Sequence, residues 1–145
     1  MKKVVRVLAS CFYLGYLPAP GAWGSAVGFL LAWFLPQTLL IQLAFLTLLG
    51  YCFTLYAEQA FSSKDPGPFV LDEVCGMMLS VALLPKTFVI YAAAYVLFRI
   101  LDVWKPWPIS ILQKMKHPFS IMHDDIAAGV VANLLLQFFV KAVYK

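Results

Sequence analysis

The chain has 145 residues, of which 63% are hydrophobic and 12% are charged, and its mean hydropathy is +0.84. Soluble domains average about 45–50% apolar and about 25% charged residues, so this composition excludes an ordinary water-soluble domain and predicts a membrane protein. Eleven Lys and Arg against seven Asp and Glu suit anionic lipid or phosphate. No dense basic face is present, so we expect no nucleic-acid partner. The length predicts a single domain, residues 1–145.

The N-terminal segment is expected to form an amphipathic helix at the membrane surface. Residues 4–14 place their apolar side chains largely on one helical side, with Lys2 and Arg6 nearby. The start resembles the basic region of a signal peptide, but Tyr13 and Pro18 interrupt the apolar block that should follow. We therefore expect this segment to be retained.

Five apolar runs bounded by charge or proline predict an all-α membrane bundle, since helices satisfy their own backbone groups within lipid. The second and fifth runs approach the roughly 20 residues that a span needs. The first and third are short, and they either extend into flanking loops, cross a thinned bilayer or remain half-helices inside the bundle. The predicted helices are Gly24–Leu35, Thr38–Ala57, Val74–Leu84, Thr87–Leu101 and Ile126–Val143.

The short connections predict that the acidic residues gather at one face. The links at residues 36–37 and 85–86 should each close a helical hairpin and return the chain to the side it came from. The N-terminal segment and the loops 58–73 and 102–125 then share one side. The acidic residues of this face are Glu58, Asp65, Asp72, Glu73, Asp102, Asp124 and Asp125.

The basic residues predict the orientation of this face. All of them lie on the acidic side except Lys86, Lys141 and Lys145. Cytoplasmic loops carry an excess of Lys and Arg, so the acidic face is expected to be cytoplasmic.

The first candidate site is the stretch Gly15–Ser25, which is rich in proline and glycine and precedes the first apolar helix. Backbone amides freed by such a turn, together with the positive end of the helix, can bind an anion. Gly21, Gly24 and Ser25 are therefore candidate phosphate-binding residues. The alternative is a membrane-entry turn anchored by Trp23, with Ser25 as the helix cap.

The second candidate site is the stretch 64–76, in which Asp72 and Glu73 stand side by side at the start of a short apolar helix. Adjacent carboxylates repel each other and are costly to bury beside lipid, so they need a cation, a protonation shift or a capping role. A bound metal meets this need directly. The alternative is that Asp72 caps the helix and Glu73 favours its positive end.

In the third candidate site, Arg99, Asp102 and Lys105 are spaced three residues apart, so they share one face while the helix persists. Such a group is either a structural ion pair or a metal ligand between two phosphate-binding cations, with Arg offering bidentate contacts.

The fourth candidate site is a second acidic pair, Asp124-Asp125, which is expected to open the last apolar helix. One such pair is readily a cap, but two on the same face, with a third acidic site between them, favour a metal site. Carboxylate oxygens favour Mg²⁺ or Mn²⁺ over zinc, since no His/Cys set has the spacing of zinc sites.

In this order, the four stretches resemble the phosphatidylglycerophosphatase A family. The patterns D-P-x-x-x-V-x-D-E-x-x-G, F-R-x-x-D-x-x-K-P-x-P and D-D-I-x-A-G are present, and the resemblance runs from Gly15 to about Gly129. It implies an all-α, Mg²⁺-dependent phosphatase of the bacterial inner membrane that converts phosphatidylglycerophosphate to phosphatidylglycerol. Ala22 stands where the family usually has Thr, and the segment 116–123 lacks the glycines common there.

The expected mechanism uses one or two Mg²⁺ ions beside the lipid headgroup. Metal-activated water is favoured over a covalent aspartyl intermediate because no D-x-D-x-[TV] run is present. Asp65 is expected to orient Lys64 or a metal-bound water. The expected metal ligands are Asp72, Glu73, Asp102, Asp124 and Asp125, the catalytic residues among them are Asp72, Glu73, Asp102 and Asp125, and the phosphate-binding cations are Lys64, Arg99 and Lys105.

A membrane cation transporter or channel is the alternative from another class, since intramembrane carboxylates often mark ion paths. The predicted acids lie at helix ends and loops, and the sequence shows no inverted repeat. Both points favour an enzyme over a transporter, and the resemblance implies that its lipid substrate is phosphatidylglycerophosphate in the bilayer. The sequence leaves the oligomeric state open.

Overall fold

A computed structural model describes residues 1–63, 66–113 and 117–143, and every regular element in these ranges is helical. This confirms the predicted all-α class. Two 3₁₀ turns, Leu14–Tyr16 and Pro36–Thr38, join the early helices. The helices are α1 (Lys2–Ala9), α2 (Pro20–Phe34), α3 (Leu39–Phe61), α4 (Leu71–Val81), α5 (Phe88–Trp104), α6 (Ile109–Gln113) and α7 (Ser120–Val143).

Two of these segments are long and apolar enough to cross a bilayer. They are Pro36–Phe61, which contains α3, and Ser120–Ala142 in α7, with mean hydropathies of 1.9 and 1.5. They correspond to the second and fifth predicted helices. In contrast, the 11 residues of α4 rise only about 16 Å, roughly half of a hydrocarbon core.

The start of α2 differs from the prediction. The helix begins at Pro20 rather than at Gly24, because proline is well suited to the first helical position and its fixed φ starts the helix earlier. Gly21–Ser25 therefore lies inside the helix and is not a turn before it. Ala19, not Ser25, occupies the capping position.

The two acidic pairs also sit differently in their helices. α4 begins at Leu71, so Asp72 and Glu73 lie within its first turn, and Val70 occupies the capping position. α7 begins at Ser120 rather than at Ile126, which places Asp124 and Asp125 in its second turn. These acids face an internal cavity, so the change from polar to apolar residues does not mark the helix start.

The central helix of the packing is α4, which contacts α2, α3, α5 and α7. A Cβ on Gly28 of α2 would lie 2.6 Å from the carbonyl oxygen of Val74. A Cβ on Gly76 would lie 2.7 Å from the carbonyl oxygen of Asp125, and one on Gly129 would meet the Gly76 backbone. Because only glycine permits this approach, the backbones of α4 and α7 touch next to Asp125.

The amphipathic helix α1 packs on the C-terminal part of α3. Val5 and Ala9 are buried, and Arg6 donates to the carbonyl oxygen of Ala60 from Nε at 3.1 Å and from Nη2 at 2.5 Å. The Val70 amide donates to the Ala9 carbonyl oxygen at 2.9 Å. These bonds fix the end of α3 and the start of α4 relative to each other.

A side chain from α7 satisfies the C-terminal end of α4. Asn133 is buried, and its Nδ2 donates to the carbonyl oxygens of Ser80 at 3.1 Å and Ala82 at 2.7 Å. Gln137 Nε2 in turn donates to Asn133 Oδ1 at 2.7 Å. The last carbonyls of a helix have no intrahelical partner and are costly in apolar surroundings, so Asn133 permits α4 to end inside the bundle.

Replacing Asn133 with leucine is expected to lower the free energy of unfolding by about 1–3 kcal/mol, because two carbonyl oxygens lose their donor. Unfolding in detergent, followed by circular dichroism, measures the loss. Gln137→Leu is the matched control: it keeps both donations to α4 and should cost less. An Asn133→Leu protein as stable as the parent would contradict this role.

Candidate active site

A cavity of about 690 Å³ lies between the C-terminal parts of α3 and α5 and the first turns of α4 and α7. Lys105 also contributes to its lining. Apart from Asp65, which lies outside the described residues, all the acids of the chain reach this cavity: Glu58, Asp72, Glu73, Asp102, Asp124 and Asp125.

Three of these acids form a compact cluster. One carboxylate oxygen from each of Asp72, Glu73 and Asp125 lies within 4.8 Å of the other two. Asp72 and Asp125 are buried, at 8% and 3% exposure. Asp72 Oδ1 accepts a hydrogen bond of 3.0 Å from the Glu73 amide, which holds the α4 pair in place.

The other two candidate metal ligands are paired with cations. Arg99 Nη1 lies 2.5 Å from Asp102 Oδ2. Lys105 Nζ forms an ion pair with Asp124 and lies 3.8 Å from Asp102 Oδ1. The structure thus separates the five predicted ligands into a cluster of three and a network of two acids with two cations.

Lys105 adopts an unusual backbone conformation. It follows α5 with φ 44° and ψ 59°, in the left-handed region where helices usually end in glycine. A residue with a Cβ is disfavoured there by about 1–2 kcal/mol. The conformation places a lysine where its Nζ reaches Asp124 on α7, so the strain accompanies a specific interaction in the site.

The pKa directions follow from burial and from these neighbours. Burial raises the pKa of Asp72 well above its usual value, and the charges of Glu73 and Asp125 raise it further. Burial likewise raises the pKa of Glu73, although its hydrogen bond with Asp72 acts in the opposite direction. Burial alone would lower the pKa of Lys105, but its pairing with Asp124 outweighs this effect and the pKa is raised.

The cluster of three fits a divalent cation with hard oxygen ligands. Octahedral Mg²⁺ has ligands at about 2.1 Å, so the oxygens across the ion are about 4.2 Å apart, which the 4.8 Å span accommodates with little adjustment. Within the described ranges, Glu73 Oε2 is buried without a hydrogen-bond partner. A cation would satisfy this oxygen and offset the mutual repulsion of the carboxylates.

The three predicted phosphate-binding residues of α2 differ in their distance from the site. A Cβ on Gly21 would lie 2.6 Å from Arg99 Nη1 and 2.8 Å from Glu73 Oε1, so Gly21 lies directly against the site. Gly24 packs closely on α4, and Ser25 is buried with its hydroxyl donating to the Gly21 carbonyl oxygen at 2.7 Å. Because α2 starts at Pro20, the amides of Gly24 and Ser25 are not the freed donors that a turn would supply. Lys64 lies outside the described residues.

Several residues of the cavity had no role in the predicted site. Thr54 and Glu58 come from α3, and His117 and Ser120 come from the start of α7 and the residues before it. The spacing of four between Thr54 and Glu58 places them on one helical face. That spacing was the available signal, but no motif marked it.

Mg²⁺ is expected to raise the unfolding temperature of the purified protein, because a ligand that binds only the folded state stabilises it by mass action. Asp125→Asn should reduce this Mg²⁺-dependent rise, since it removes one oxygen from the cluster. Glu58→Gln is the comparison: Glu58 lines the cavity but is not one of the three clustered acids, so most of the rise should remain. An unchanged rise in Asp125→Asn would contradict the cluster as the binding site.

Fold and site together define an all-helical protein whose apolar helices hold a carboxylate cluster beside paired Lys and Arg side chains. The chain belongs to the phosphatidylglycerophosphatase A family, whose model matches residues 7–140.

Curated relatives support this membership. The chain is 38% identical to the phosphatidylglycerophosphatase A of Escherichia coli (strain K12), over 92% of this chain and 81% of that protein. It is 34% identical to the protein of the same name from Haemophilus influenzae, over 91% of this chain and 86% of that protein. A Bacteroides thetaiotaomicron protein provisionally named a phosphatidylinositol-3-phosphatase is 28% identical, over 90% of this chain and 89% of that protein. No solved structure matches the chain.

Proposed function

We propose that this chain is a Mg²⁺-dependent phosphatase that hydrolyses the terminal phosphate monoester of phosphatidylglycerophosphate in the bacterial inner membrane, with its site at the cytoplasmic face. The observation that carries the proposal is the carboxylate cluster of Asp72, Glu73 and Asp125 in one cavity with Lys105. Family membership and the names of two relatives support the substrate and favour hydrolysis over ion transport.

Hydrolysis of phosphate monoesters is extremely slow without a catalyst, so the site must neutralise charge on the phosphoryl oxygens and position the attacking water. Mg²⁺ held by the cluster would supply Lewis-acid stabilisation of that charge and activate water. Burial of Asp72 and Asp125 keeps bulk water away and strengthens these electrostatic interactions.

The cations of the site are suited to binding phosphate. Arg99 offers a planar donor group and Lys105 a compact charge, and both are held by acids at the edge of the cluster. Asp102 and Asp124 thus act mainly by positioning these cations. In the described part of the chain, Asp124 Oδ1 is buried without a partner, so it can accept a hydrogen bond from the attacking water.

Placement at a membrane surface explains how a lipid reaches the cavity. α3 and α7 would cross the bilayer, and the cavity lies at the C-terminal part of one and the N-terminal turns of the other. Trp104 and Trp107, which flank Lys105, are 77% and 78% exposed, as expected for aromatic side chains at the headgroup level. The acyl chains would remain in the bilayer while the headgroup enters the cavity.

Purified protein in detergent should release inorganic phosphate from phosphatidylglycerophosphate when Mg²⁺ is present, and excess EDTA should abolish the release. Readdition of Mg²⁺ should restore it. Undiminished release in EDTA would exclude the metal-dependent mechanism, and absence of release under all conditions would exclude the proposed substrate.

Lys105→Gln is expected to lower kcat/KM by about 10²–10³-fold, the typical loss when one donor to a developing charge is removed. Lys86→Gln is the matched control, because Lys86 lies at the other end of α5 over the ring of Trp33. Phosphate release by the two variants provides the comparison. Equal activities would remove Lys105 from the phosphate-binding role.

A further inference from the structure

One wall of the cavity has no part in the proposed metal and phosphate chemistry. It is formed by the C-terminal part of α3, where Thr54, Leu55 and Glu58 line the cavity, and by residues around the start of α7. Thr54 is buried, and its hydroxyl donates to the Tyr51 carbonyl oxygen at 2.8 Å. Glu58 is exposed to the cavity, and it forms none of the ion pairs among the described residues.

The helical turn that carries Glu58 is held in place from its other side. Ala57 and Ala60 are buried, and Arg6 of α1 binds the Ala60 carbonyl oxygen through two donors. The Val70 amide donates a hydrogen bond to the Ala9 carbonyl oxygen, and this bond connects the wall to the start of α4. Glu58 therefore projects from a fixed backbone at a fixed distance from the carboxylate cluster.

The cavity is larger than a phosphate and an ion require. Its volume of about 690 Å³ falls within the roughly 300–1,000 Å³ of sites that enclose whole small ligands. The part of the substrate next to the reacting phosphate must therefore lie against the remaining wall. In the proposed substrate this part is a glycerol unit with a free secondary hydroxyl.

A carboxylate oxygen is a hydrogen-bond acceptor, so Glu58 favours a headgroup that offers a hydroxyl donor over one that offers none. We propose that Glu58 accepts a hydrogen bond from the secondary hydroxyl of the terminal glycerol and so selects hydroxyl-bearing headgroups. This assignment rests on the proposed phosphatase function. It makes Glu58 a specificity residue that contacts the substrate away from the reacting atoms.

The test compares phosphatidylglycerophosphate with an analogue that lacks only the secondary hydroxyl of the terminal glycerol. Wild-type protein should prefer the natural lipid by about tenfold or more in kcat/KM, the effect of one hydrogen bond to a charged group. Glu58→Ala should lose this preference, because turnover of the natural lipid falls while that of the analogue is unchanged. Glu58→Gln should keep part of the preference, since its amide oxygen still accepts.

Gln59→Ala is the matched control, because Gln59 is exposed on α3 and does not line the cavity. This variant should prefer the natural lipid over the analogue as strongly as the wild type does. An equal loss of activity on both lipids in Glu58→Ala, with or without a higher Mg²⁺ requirement, would overturn the assignment and indicate a structural or metal-binding role. An unchanged preference in Glu58→Ala would also overturn it. Absence of Mg²⁺-dependent phosphate release from either lipid by the wild type would instead overturn the phosphatase proposal on which it rests.

Discussion

The close approach of three carboxylates, the buried Asp72 and Asp125 and the half-buried Glu73, is the constraint on which the rest of the structure depends. Removing a carboxylate from water costs several kcal/mol unless an opposite charge accompanies it. The ion pairs of Arg99 and Lys105 go to Asp102 and Asp124, so they leave this cluster without a cation of its own within the described residues. A divalent cation bound to the cluster would offset this cost and would couple metal binding to folding.

The cluster exists because two glycines let α4 and α7 approach at backbone contact. Gly76 and Gly129 face each other, and a Cβ on Gly76 would lie only 2.7 Å from the carbonyl oxygen of Asp125. Without this approach the acids of the two helices would lie too far apart to share one ion. Asn133 secures the other end of the same contact by binding the last carbonyls of α4, so packing and site geometry have a common origin.

Part of this arrangement could be predicted from the sequence, including the all-α class, the two longest apolar helices and the gathering of acids around one cavity. Pattern alone could not show which acids share an ion, because that depends on how α4, α5 and α7 cross. Helix starts were also wrong where polar residues face the cavity, as at Ser120. Glu58 was left without a role because the position of the α3 wall depends on its contact with α1, which no local pattern shows.

The helix ends account for the positions of some of these acids. Asp72 and Glu73 lie in the first turn of α4, where the positive end of the helix dipole favours negative charge. Asp102 lies at the C-terminal end of α5, where the dipole disfavours an acid, and it is the one flanked by Arg99 and Lys105. Asp72 and Glu73 thus lie where the backbone itself offsets part of their charge. The same positive helix end would also favour an incoming phosphate, so the proposed function does not conflict with the anionic cluster in the same cavity.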